Sequence, residues 1–321
     1  MRLVYYGTPT LAVPALARLV EEGRAPLLVV TRQDRPRGRG LDVTPSPVRA
    51  AAESHGIPVT TPARAGAPEE IERLQALSPD LLLLAAYGQI LSPELLRVPR
   101  IGALNLHFSL LPRHRGASPI QAAILAGDEE TGVTTMWMTE KLDEGPIFAA
   151  SRTRILPDED AGSLADRLSE LGARCLSETL DRIGRGEMVR EAQDPSRATY
   201  APKLRREDAR LHLSLDPVAF ARRVRAFAPR PGAYLDLEEG GALQVLAAAP
   251  GAPHPGTPAA DAGAALALDR ERGLLLRLEA GSVWLRRVRP GGRKEMGGFD
   301  YANGARLSAG VRLPLLSDRP A

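Results

Sequence analysis

Three polar side chains within one stretch of the chain, Asn105, His107 and Asp143, could do chemistry together. Asn105 and His107 stand two residues apart in Leu104-Asn105-Leu106-His107, and Asp143 lies in Leu142-Asp143-Glu144-Gly145. An amide can stabilise an oxyanion, an imidazole can donate a proton, and a carboxylate can accept one. A Ser-His-Asp hydrolase would need a nucleophile, and no G-x-S-x-G elbow is present. A zinc site would need more His and Cys at ligand spacing than five His and one Cys provide here. What remains is acid–base and oxyanion chemistry without a covalent intermediate, which suits an amine attacking an activated acyl group. Ser109-Leu110-Leu111-Pro112 is a turn-like run that could bind a ligand through backbone groups. His55 and His114 show no partners in the sequence and are read as solvated.

These side chains need a frame. Arg2–Tyr6 reads as a strand, Gly7-Thr8-Pro9 as a tight turn, Thr10–Glu22 as a helix and Leu27–Thr31 as a second strand. Strand, glycine turn, helix, strand is how a doubly wound α/β sheet begins. The turn lacks the full G-x-G-x-x-G pattern, which argues against a dinucleotide site. Asp80–Ala86 reads as a fully buried central strand, and Gly102–His107 as the next one. Strand periodicity puts Asn105 and His107 on one face, with Leu104 and Leu106 on the other. Helices are expected at Val48–His55, Pro68–Leu77, Ala117–Ala126 and Ser163–Gly184, and strands at Gly132–Met138 and Ile147–Ile155.

Length and composition favour two domains. The chain has 321 residues, too many for one ordinary domain, with 44% hydrophobic and 25% charged residues, as a globular core requires. No apolar run reaches the length of a membrane helix, and Met1-Arg2-Leu3 leads straight into a strand, so the cytoplasm is the expected compartment. A polar, proline-punctuated stretch suggests residues 1–192 as a first domain, 193–204 as a linker and 205–321 as a second domain. The second reads as a helix at Asp216–Ala228 and then many short strands, the pattern of a small OB-like β-barrel, with Pro250–Gly263 as a loop. Net charge is −3 over residues 1–200 and +6 over 201–321, nearly all of the basic charge being arginine. Arginine suits phosphates. Arg222 and Arg225 share one helix face in the basic half. Arg32–Arg49 adds Arg35, Arg37 and Arg39 among prolines and glycines that forbid regular structure until about Ser46. It reads as a phosphate-gripping loop.

The motifs then point to a family. N-x-H-x-S-L-L-P at 105–112, the R-G-x-x-P of Arg115 to Pro119 and the L-D-x-G closing at Gly145 resemble the folate-dependent formyltransferases. Gly7-Thr8-Pro9, the loop around Asp34-Arg35-Pro36 and Gly38-Arg39-Gly40, Pro45-Ser46-Pro47-Val48, Tyr87-Gly88 and Ala226–Pro231 extend the resemblance over nearly the whole chain. It implies a Rossmann-like catalytic domain, an OB-like second domain and a monomer. It also implies transfer of the formyl group of 10-formyltetrahydrofolate to the α-amine of methionine esterified to initiator tRNA, without a metal. On this resemblance Asn105, His107 and Asp143 form the catalytic trio. Ser109, Leu110, Leu111 and Pro112 form a folate-binding turn, with Tyr87, Gly88 and Ile90 near the pterin. Arg35, Arg37 and above all Arg39 meet the acceptor end of the tRNA. Phe108, Pro146 and Leu41-Asp42 depart from the family pattern.

Two relatives with the same trio make rival readings. A glycinamide ribonucleotide formyltransferase usually lacks a second domain, and a sugar-amine formyltransferase lacks the arginine loop with its Pro-Ser-Pro-Val exit. A plain RNA-binding module would have no use for the intact trio.

Overall fold

The computed structural model describes residues 1–37, 42–238, 240–252 and 261–316. It divides into two compact units. The first comprises Met1–Pro119, Glu129–Ile155 and Leu164–Lys203; the second comprises Ile120–Asp128, Leu156–Ser163 and Leu204–Ala321.

The first unit is built on a seven-stranded sheet. Its spatial order is Ile147–Arg154, Glu130–Trp137, Gly102–His107, Leu81–Ala85, Leu3–Gly7, Leu28–Val30, Val59–Thr60. The five strands from Gly102–His107 to Val59–Thr60 run parallel. Glu130–Trp137 and Ile147–Arg154 close the opposite edge in antiparallel pairing. The central strands Leu3–Gly7 and Leu81–Ala85 are buried at every position, which is why they read as continuous apolar runs.

Local chemistry fixes where the connecting helices begin. Val13–Glu21, Pro47–Ser54 and Pro68–Leu77 each have proline in the first two positions, where a missing N–H costs nothing. Ser46 also caps its helix, its Oγ accepting from Arg49 N at 3.1 Å. The long helix Ala161–Gly184 has glycine where it crosses the sheet: a Cβ on Gly172 would stand 2.9 Å from Leu106 Cδ2. Leu106 therefore lies on the helix-covered face of its strand, and Asn105 and His107 face the other way.

The second unit carries an antiparallel sheet. Its order is Ala233–Asp236, Ala242–Gly251, Ser282–Pro290, Gly273–Arg277, Ala265–Asp269, and Met296–Gly297 pairs with Ser282–Pro290. Helix Pro217–Phe227 is capped by Asp216, whose Oδ1 accepts from Val218 N and Ala219 N, both at 2.9 Å.

Two sequence expectations are corrected, and two short helices add to them. Arg32–Arg49 is not irregular up to Ser46: Arg35–Arg37 and Asp42–Thr44 pair as a short antiparallel hairpin. Pro36 sits in a strand with no neighbour beyond its one partner, where a missing N–H is tolerated. Pro250 and Gly251 belong to a strand, pairing with Val283 and Ser282, rather than to a loop; residues 253–260 of that stretch lie outside the described residues. Short helices at Pro93–Leu96 and Gly298–Gly304 were not visible as periodic runs, because four and seven residues are too few to show a period.

Candidate active site

The strand Gly102–His107 ends at the carboxyl edge of the parallel sheet, where open α/β sheets bind ligands. Asn105 is in register with Leu84 on one side and Met136 on the other; His107 pairs with Thr134. The left-handed turn at Asp143, φ +52°, brings its carboxylate to the same place. Oδ1 accepts from Asn105 Nδ2 at 3.3 Å, and Oδ2 accepts from the backbone N–H of Gly116 at 2.8 Å. His107 Nδ1 stands 3.8 Å from Asp143 Oδ2, inside ion-pair range and beyond hydrogen-bond length. The three residues expected to act together do meet, around one buried carboxylate.

The far side of the imidazole is also defined. His107 Nε2 is 2.9 Å from the carbonyl oxygen of His114, which can only accept, so Nε2 carries a hydrogen. Both ring nitrogens thus face acceptors. Only 5% of His107 and 7% of Asp143 is exposed, so their interaction is screened little by bulk water.

His114 itself corrects an expectation. It is buried rather than solvated, with a left-handed backbone at φ +57° and its N–H donating to Thr199 Oγ1 at 2.8 Å. No local pattern marks it, because its partner lies 85 positions away. His55 is exposed, as expected.

The Ser109–Pro112 turn is held from within. Ser109 Oγ donates to the carbonyl of Arg113 at 2.7 Å. Thr134 Oγ1 donates to the carbonyl of Ser109 at 2.7 Å and accepts from Leu111 N at 3.2 Å. Leu111–Pro112 is a cis peptide. Ser109, Leu111 and Pro112 are buried, while Leu110 is half-buried. The serine hydroxyl is therefore committed to shaping the turn.

Tyr87 points into the core. Its ring meets Tyr6 edge-on at 5.1 Å, and burial, with the Glu70 carboxylate adding to it, pushes its phenol up to about 12. Its hydroxyl has no hydrogen-bond partner among the described residues. Its carbonyl accepts from Thr8 Oγ1 at 3.0 Å. Gly88 follows at φ +83° with its Cα side against Arg32, and Ile90 is 80% exposed.

The arginines fall into different settings. Arg35 and Arg37 lie on the hairpin strand, and Arg39 lies outside the described residues. The hairpin's base is anchored: Thr31 Oγ1 and Ser46 Oγ are 2.8 Å apart, Asp34 Oδ1 accepts from Ser46 N at 3.2 Å, and Asp34 pairs with Arg49. In the second unit Arg222 is half-buried against Gly127, whose φ of +73° and missing Cβ leave room for the guanidinium. Arg225 donates to the carbonyl of Glu159 at 3.0 Å; desolvation first, then the neighbouring charge of Arg222, lowers its pKa.

Residues 1–180 match the formyl transferase family, and residues 203–306 match the formyl transferase C-terminal domain. A methionyl-tRNA formyltransferase of Geobacter sulfurreducens is 42% identical over 98% of this chain and 96% of its own length. One from Halorhodospira halophila is 48% identical over 96% of this chain and 98% of its own. Among solved structures, an N-formyltransferase from Helicobacter canadensis matches with TM-score 0.64 at 16% identity, over 89% of this chain and 98% of that one. HypX from Aquifex aeolicus, solved with tetrahydrofolic acid, matches with TM-score 0.62 at 19% identity, over 94% of this chain but only 47% of HypX. At such identities the structural matches show a common fold. The chain belongs to the formyl transferase family, and its long, close sequence relatives place it among the methionyl-tRNA formyltransferases.

Proposed function

We propose that this chain transfers the formyl group of 10-formyltetrahydrofolate to the α-amino group of methionyl initiator tRNA. The observation that carries the reading is the convergence of Asn105, His107 and Asp143, since it supplies what amine attack on a formyl carbon needs and offers no nucleophile of its own. The amine nitrogen bonds to the formyl carbon, the carbonyl electrons move onto oxygen, and collapse of the tetrahedral species breaks the bond to N10, which takes up a proton, balancing the one the amine loses, as tetrahydrofolate leaves. Asn105 and protonated His107 stabilise the oxyanion; Asp143 holds His107 charged and takes part in removing the amine proton. Preorganised donors of this kind are worth on the order of 10²- to 10³-fold each in rate.

In this reading the turn Ser109, Leu110, Leu111 and Pro112 holds the folate, with Tyr87, Gly88 and Ile90 bordering the pterin. Arg35, Arg37 and Arg39 meet the acceptor end of the tRNA, and Arg222 and Arg225 its backbone. No metal enters the reaction. The catalytic part is residues 1–192, joined by 193–204 to an OB-like tRNA-binding barrel at 205–321; the change of compact unit between Lys203 and Leu204 supports that division. The enzyme works as a monomer in the cytoplasm. A formyl-transfer assay offering charged initiator tRNA, glycinamide ribonucleotide and water tests the reading. Turnover with the charged tRNA alone is expected. Preference for either other acceptor would overturn it.

A further inference from the structure

Asp143 occupies a backbone conformation that L-residues rarely hold, so something must keep it there. The restraint comes from a residue 50 positions further on. Gln193 Nε2 donates to the carbonyl of Asp143 at 2.9 Å and to the carbonyl of Gly145 at 2.8 Å, bracketing the turn. Its Oε1 accepts from Arg115 Nε at 3.0 Å and Nη2 at 2.8 Å. Arg115 Nη1 lies 3.5 Å from Glu144, inside the same turn, and Gly116, the next residue, gives its N–H to the Asp143 carboxylate. The side-chain amide of Gln193 thus uses both donor hydrogens and its acceptor on two segments that meet at one carboxylate.

The chain delivers Gln193 there by ordinary backbone pairing. After helix Ala161–Gly184 it returns along the sheet, where Trp137 Nε1 donates to the carbonyl of Val189 at 2.7 Å. Ile147 and Glu191 then exchange two backbone hydrogen bonds, at 2.8 and 3.0 Å. Two residues later the Gln193 side chain reaches the turn.

We propose that Gln193 is a positioning residue for formyl transfer: it locks the Asp143 turn against Arg115 and so fixes the carboxylate relative to Asn105 and His107. This rests on the catalytic reading of the trio. It gives residues 189–193 a part in the active site, where the sequence suggested only the end of one domain and the start of a linker. A glutamate at this position could still accept from Arg115, but when ionised it would turn oxygen toward two carbonyls. When protonated it regains one donor.

The test compares wild type, Gln193→Ala and Gln193→Glu with 10-formyltetrahydrofolate and methionyl initiator tRNA, first establishing wild-type turnover. Gln193→Ala is expected to lower kcat by on the order of 10- to 100-fold, the cost of a small misplacement, with both KM values within about twofold. The activity of Gln193→Glu relative to Gln193→Ala, taken at each pH to cancel titration of the shared site, is expected to rise as pH falls. A kcat within twofold of wild type, or a ratio flat with pH, overturns the proposal. An inactive wild type overturns the functional reading instead. If Gln193→Ala fails to fold, the pH ratio of Gln193→Glu to wild type decides, with the same expected rise and the same refuting flatness.

Discussion

At the scale of the residue, Asp143 is the junction. One carboxylate receives Asn105 Nδ2 and Gly116 N–H and lies near His107 Nδ1. Asp143→Asn keeps the size and an acceptor for Gly116 but removes the charge that faces the His107 ring. It is expected to lower kcat by about 100-fold or more, while charged-tRNA affinity measured by filter binding stays within about threefold. Turnover near wild type would remove Asp143 from the mechanism. Tyr87 poses a different question, because a buried hydroxyl without a partner is a cost to folding. Tyr87→Phe is expected to leave the denaturant midpoint unchanged or raise it by the equivalent of up to about 1 kcal/mol. A higher KM for the folate in the same variant would mean that the hydroxyl serves the pterin.

At the scale of the element, the strand Gly102–His107 is held at both ends by different means. Its carboxyl end carries the candidate site, and its start is tied through Asp80 to the neighbouring strand Leu81–Ala85 and to Leu3–Gly7 beyond it. The Asp80 carboxylate accepts from Arg2 N at 2.8 Å and from Arg100 Nε at 2.9 Å, just before the strands Leu3–Gly7 and Gly102–His107 begin. Those two hydrogen bonds, the Arg2 N–H first, hold its carboxyl below the usual carboxylate range. A depressed folded-state pKa gives stability that is present above the unfolded pKa, near 4, and lost as pH falls through the folded value. Asp80→Asn should therefore cost about 1 kcal/mol at neutral pH, discounted for partial exposure, with no change in kcat. The gap in melting temperature between variant and wild type is expected to close as pH falls through the depressed folded-state value of Asp80. A gap that persists there would assign the effect to packing.

At the scale of the whole molecule, the proposed role of the trio covers formyl transfer and leaves the choice of acceptor to other parts of the chain. In the proposed function that choice falls to the arginine hairpin and the basic second half. The hairpin springs from a base pinned by Thr31, Asp34 and Ser46. Arg39→Ala is expected to raise the KM for charged tRNA several-fold more than that for the folate, and to reduce the salt slope of tRNA binding by about one contact. Equal effects on both substrates, or none, would make the hairpin a solvated excursion.

The sequence by itself determined the sheet's parallel core, the strand Gly102–His107 and the common face of Asn105 and His107, because apolar runs and a period of two are local properties. It also picked out Asp143, since a carboxylate two residues before a glycine in a turn-like run is visible without a partner. Tertiary structure alone decided that His114 is buried, that its carbonyl receives His107, and that Gln193 and Arg115 brace the turn. The Gln193 contacts join positions far apart in the chain, the His107–His114 bond spans seven residues across an irregular turn, and a single hydrogen bond of either kind leaves no periodicity or composition for a sequence to show. The hairpin within Arg32–Arg49 escaped for a related reason: its strands are three residues each, too short for alternation to rise above the prolines and arginines that fill them.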